Sequence, residues 1–150
     1  MLRNQLQESL KQAMKNKNTT EINAIRMIIA GMKEKDVEAR GKGKTQAEDT
    51  ELLSMMQTMI KQRNESIKMY TDGNRPELAE KEKAEIAVIE TFLPKQLSAE
   101  ETAEAIKKVI AQTEASSMKD MGKVMAALRS EYAGQMDFGA ASGIIKSLLG

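Results

Sequence analysis

Four valines (Val37, Val88, Val109, Val124) and four aromatic residues (Tyr70, Phe92, Tyr132, Phe138) in a chain of 150 leave little from which to build a sheet. Strands favour β-branched and aromatic side chains, whereas the residues abundant here, Ala, Leu, Met, Glu, Gln and Lys, are the strong helix formers. The apolar positions agree. Leu2, Leu6, Leu10 and Ala13/Met14 keep helical spacing, as do Ile22, Ile25, Ile28/Ile29 and Met32. So do Leu52, Met56, Met59/Ile60, Arg63, Ile67 and Tyr70. The expected fold is all-α.

Start and stop signals divide the chain into seven helices. Asn18, Thr45, Asn74, Ser98 and Ser117 each stand three residues before an acid, where a cap oxygen and a carboxylate both serve a helix N-terminus. Gly41-Lys42-Gly43-Lys44 and Thr71-Asp72-Gly73-Asn74 end the second and third helices, and Pro94 cannot continue the fourth. A last helix is expected from about Asp137 to Leu149. The run from about Thr45 to Thr71 would be roughly 40 Å long, a length that suits one arm of an antiparallel hairpin with the Ile22–Val37 helix. A boundary at Leu93-Pro94-Lys95-Gln96-Leu97 separates a helical N-terminal part, residues 1–94, from a three-helix tail, residues 95–150. The tail's expected core is Leu97, Ile106, Ile110, Val124, Leu128, Ile144 and Leu148.

Several functions are excluded by what is missing. Cysteine and histidine are both absent, which removes disulfides, thiol nucleophiles, Cys/His zinc sites and Ser-His-Asp catalysis. With 23 basic and 22 acidic residues, net charge gives no bulk attraction to nucleic acid or membrane. No apolar run approaches the ~20 residues of a membrane span. The amphipathic start of the chain fits a first structural helix better than a mitochondrial presequence, given Glu8 and the regular leucines. A cytoplasmic location is therefore expected.

Four constellations invite chemistry. Glu82 and Glu85, with Glu77, Glu80 and Glu90 nearby, alternate with Lys81 and Lys83 as a solvated face does, so no metal, cofactor or catalytic residue is assigned. Gly41-Lys42-Gly43-Lys44-Thr45 lacks the leading glycine and the strand of a phosphate loop. Met55, Met56, Met59 and Met69 fit a core, or a groove for a partner protein. In the tail, Lys119 and Lys123 are one helical turn apart around Gly122, and Lys107, Lys108, Arg129 and Lys146 belong to the same part; a few correctly placed cations can hold a nucleic-acid backbone. Phe138 is expected in the core. Arg63, on an apolar stripe, needs acid partners. The expectation is that Arg63 and Arg75 form inter-helix ion pairs with Glu82 and Glu85.

Lys61-Gln62-Arg63-Asn64-Glu65-Ser66-Ile67, then Asn74-Arg75-Pro76-Glu77-Leu78-Ala79-Glu80-Lys81-Glu82, Glu85-Ile86 and Phe92-Leu93-Pro94-Lys95-Gln96-Leu97-Ser98 resemble the YqeY family, as does Asp120-Met121-Gly122-Lys123-Val124-Met125. The resemblance covers essentially the whole chain. It implies kinship with the helical and tail domains of GatB, the subunit that delivers tRNA in the tRNA-dependent amidotransferase making Gln-tRNA and Asn-tRNA. It also implies that Lys119, Gly122, Lys123 and Lys146 bind tRNA, with a translation or amidotransferase-related protein as a further partner. Lys123 stands where the GatB tail pattern has an amide. Nothing in the chain resembles the amidotransferase catalytic domain, so a non-catalytic accessory role is expected. The alternatives are a carbon–nitrogen ligase activity, with glutamine as amido donor and a partner protein, and a helical protein-interaction module.

Overall fold

The computed structural model describes residues 2–150, and among them it contains seven α-helices, one 3-10 turn and no strand. The helices are α1 (Leu2–Lys15), α2 (Thr19–Gly41), α3 (Asp49–Asp72), α4 (Pro76–Glu90), α5 (Ala99–Gln112), α6 (Met121–Glu131) and α7 (Phe138–Leu149). The 3-10 turn Met118–Asp120 leads into α6. The chain forms two compact units, Met1–Leu93 and Pro94–Gly150.

In the first unit the apolar stripes of α1 to α4 meet around Leu6, Ile25, Ile28, Leu52, Met56 and Ile89, all fully buried. Each such side chain contributes about 1.5–3 kcal/mol by leaving water. Exposed ion pairs such as Lys11–Glu8 add little, because water screens them. The main partner of α3 is α4 rather than α2. That corrects the expected pairing of the long helix. Its reason is the tight Gly73–Arg75 turn, which folds α4 directly back along α3, whereas the α2–α3 connection is longer and is drawn elsewhere. Where α2 does meet α3, Gly31 supplies the space: a Cβ there would lie 2.7 Å from Met55 Sδ.

Two expected caps are displaced. α3 begins at Asp49 rather than at Thr45, because Ala47 is buried and both its backbone groups are taken by side chains of α1 and α2. Asn74 does not cap α4. It adopts a left-handed φ of 57° and closes α3, while Arg75 precedes Pro76. Asn18 and Ser98 cap as expected, each accepting from the backbone N–H three residues on. Four helices end alike. Lys17, Gly43, Asn74 and Glu114 are left-handed, and the next residue's N–H reaches back to Ala13, Ala39, Tyr70 and Ile110 carbonyls. This is the Schellman closure, and only one of the four uses glycine.

In the second unit α5, α6 and α7 pack pairwise around Ile106, Val109, Val124, Leu128 and Ile145. The expected core is off by one residue in two helices: Val109 and Ile145 are fully buried, Ile110 and Ile144 only partly, and Leu148 is exposed. Paired apolar residues give a helix two possible faces, and the packing partner selects one. The segment before α5 is tied to the α6–α7 loop by Leu97 N–H to Gln135 O (2.8 Å) and by the Gln96 amide to Gly134 O.

Candidate nucleic-acid interface and buried ion pairs

Arg63 occupies the junction of three helices. Its Nη1 is 3.2 Å from Glu82 Oε2 and 3.1 Å from Glu85 Oε2 on α4, and its Nη2 donates to Met27 Sδ on α2 at 3.1 Å. Arg63 and Glu85 are both buried. They stand equally far along the chain from Asn74, so the antiparallel α3–α4 hairpin brings them level. The two carboxylates whose alternation with lysines suggested a solvated face are instead held by a guanidinium, and Glu85 is buried. Arg75, expected with the same acids, pairs instead with Glu77 through Nε at 2.8 Å, an exposed contact. That hydrogen bond, first among several causes, holds the Glu77 carboxyl below its usual range. Arg75 lies at the turn, too near the hairpin's end to reach the acids beside Arg63.

A second buried ionic site has no counterpart among the sequence expectations. Arg3 forks onto Asp36, with Nη1 to Oδ2 at 2.8 Å and Nη2 to Oδ1 at 2.6 Å, and Nη2 also donates to Ala47 O at 2.8 Å. Ala47 N–H donates to Asp36 Oδ1 at 2.9 Å. The Arg3 hydrogen bonds, then the Ala47 N–H, hold the Asp36 carboxyl down at about 2, against the opposing effect of burial. The same bond raises Arg3. A signal for this clasp was present. Asp36 falls on the buried stripe Ile25, Ile28, Met32, Asp36, Ala39, as Arg63 falls on its own.

The expected RNA-binding residues divide between two elements. Lys119 lies in the 3-10 turn, and Gly122 and Lys123 in the first turn of α6; Lys146 is in the last turn of α7. All four are exposed. A Cβ at Gly122 would meet nothing within 4 Å, so internal packing does not require glycine there. Asp120 sits among these cations. Its carboxylate accepts from Ser116 N–H at 2.9 Å and Ser117 N–H at 3.4 Å, and these backbone bonds, with Lys123 contributing less, keep its carboxyl low. Lys107 is engaged with Glu104 at 3.8 Å, whereas Lys119, Lys123 and Lys146 form no ion pair among the described residues. Phe138, expected in the core, is only half-buried, with Arg129 over its ring at 5.9 Å from the centroid.

An all-helical chain in two units, carrying the Arg63–Glu82–Glu85 motif residues at one helix junction, defines a class that the comparisons make specific. A sequence profile described as Yqey-like protein matches residues 3–149, and the chain belongs to that family. It is 36% identical over 88 residues to the Candida glabrata protein named "Altered inheritance of mitochondria protein 41, mitochondrial", a match covering 59% of this chain and 47% of that one. The proteins of the same name from Lachancea thermotolerans and Vanderwaltozyma polyspora are each 34% identical over 88 residues, covering 59% of this chain and 46% of theirs. The match spans about half the length of these relatives. Their names overturn the cytoplasmic expectation: all three are called mitochondrial. An amphipathic first helix with one acid does not determine location.

Proposed function

We propose that this chain is a non-catalytic tRNA-binding accessory protein allied to the tRNA-dependent amidotransferase system, contacting RNA through Lys119, Lys123, Lys146 and the backbone at Gly122. The observation that supports it is the open approach to Gly122, flanked by two exposed lysines that have no carboxylate partner within ion-pair distance among the described residues. A phosphate seated there would lie between two cations, and cations release counterions from the nucleic acid when they bind it. The resemblance of Asp120–Met125 to the GatB tail supports tRNA as the polymer.

Fluorescence anisotropy with labelled total tRNA, titrated at several salt concentrations, tests the reading. Saturable binding is expected, with log affinity falling linearly against log salt. The Lys119→Ala/Lys123→Ala variant should flatten that slope by about 0.7–0.9 for each phosphate that its lysine no longer neutralises, while changing stability by no more than about 0.5 kcal/mol. Gly122→Ala separates binding from folding. It should stabilise α6 by about 0.5–1 kcal/mol yet weaken RNA binding. An unchanged slope in the lysine variant removes the site, and no binding at low salt removes tRNA as the ligand.

A further inference from the structure

The Arg63 guanidinium is unevenly used. Glu82 and Glu85 both take Nη1, so the acids lie at one corner of the group. The opposite edge carries Nη2 and Nε–H, which point the same way in a planar guanidinium. On that edge Nη2 has only the thioether of Met27, a weak acceptor, and the buried Nε has no hydrogen-bond partner. A buried cationic donor without a partner is costly, and a stronger acceptor at the Met27 sulfur would relieve it. Met27 is also reachable from solvent. It is 46% exposed, alongside Met14 at 51%, Met69 at 73% and Met118 at 42%, yet among these four only its sulfur lies against a guanidinium.

The geometry points to Met27 as an oxidation site for hydrogen peroxide, with Arg63 holding the resulting sulfoxide oxygen through Nη2 and Nε. The sulfur lone pair attacks one peroxide oxygen, an S–O bond forms and the O–O bond breaks. Sulfur loses two electrons, and the other peroxide oxygen departs as water after taking up the proton. The product places a strongly accepting oxygen beside the underused edge, while Glu82 and Glu85 keep Nη1. Methionine oxidation ordinarily loosens a protein by making an apolar side chain polar. At this junction it tightens the contact between α2 and α3.

The test uses the full chain carrying Met14→Leu, Met69→Leu and Met118→Leu, so that Met27 is the one strongly exposed methionine among the described residues. The protein is treated with graded hydrogen peroxide, mapped by peptide mass and melted. Met27 sulfoxide should form before buried Met56 is touched, and the oxidised protein should melt about 2–4 °C above the untreated one. In the unoxidised wild-type background, Met27→Gln sets an amide oxygen near the same edge and should melt above Met27→Leu by a similar margin. The proposal is overturned if Met27 converts no earlier than Met56, if the Met27 sulfoxide form melts at or below the untreated protein, or if the Gln and Leu variants melt together.

Discussion

The two units place their charges differently. In the first, a buried acid meets a cation twice, Glu85 with Arg63 beside Glu82 and Asp36 with Arg3, and each contact links separate helices. In the second, the core is entirely apolar and the charged side chains stay on the surface, several of the cations without an acid partner. The contrast teaches that net charge says nothing about its use. Both units are nearly balanced in sign, yet one buries part of its charge in internal ion pairs and the other keeps its charged side chains at the surface. A buried ion pair fixes geometry more than it adds stability, because desolvation offsets most of the attraction.

Five substitutions sharpen or break that contrast, in descending order of effect. Arg63→Ala leaves Glu85 and Glu82 without their cation and should destabilise the first unit by about 3–5 kcal/mol in denaturant unfolding; a change near zero would mean the junction is held by its apolar neighbours. Leu128→Ala, in the second unit's core, should cost about 2–4 kcal/mol through reduced burial and the cavity left behind. Asp36→Asn should cost about 2 kcal/mol at neutral pH, since a charged acceptor becomes a neutral one. It also tests the pH dependence. A carboxyl lowered to about 2 in the fold stabilises it above the ordinary value of 3.8, and that contribution is lost as pH falls from there toward 2. The wild-type acid limb should therefore be steeper than that of Asp36→Asn, as read by circular dichroism from about pH 5 to about pH 1.5. Smallest, Lys17→Gly and Glu114→Gly should each stabilise by about 0.5–1 kcal/mol, because both residues hold a left-handed conformation that glycine adopts without strain. The same helix closure occurs in both units, so these two should respond alike.

Much of the fold was legible in the sequence because helix stripes and caps are local. Ile25, Ile28, Met32, Leu52 and Met56 follow from spacing alone, and Asn18 and Ser98 from their neighbours three residues on. The misplacements came from long-range demand. Thr45 carried a good cap signal, but the segment through Ala47 is drawn away by Asp36 and Arg3, which no local pattern encodes. Ile144 and Ile145 are equivalent to a periodicity argument, and only the packing of α7 chose between them. At the candidate site, sequence reached Lys119, Gly122 and Lys123 by proximity. The cap signal of Ser117 and Asp120 also holds there: Asp120 spends its carboxylate on the Ser116 and Ser117 N–H groups in their midst.

The Arg3 clasp has a further consequence, for the order of events in folding. Arg3 meets Asp36 across 33 residues and Ala47 across 44, whereas Arg63 meets Glu82 across only 19 along a hairpin closed by a tight turn. Longer loops surrender more chain entropy before their contact gives anything back. The α3–α4 hairpin is thus suited to nucleate early, and the clasp to lock last. A tie made after the rate-limiting step governs how slowly the native state comes apart, not how quickly it forms. Loss of the Arg3–Asp36–Ala47 tie should therefore speed unfolding of the first unit more than it slows folding.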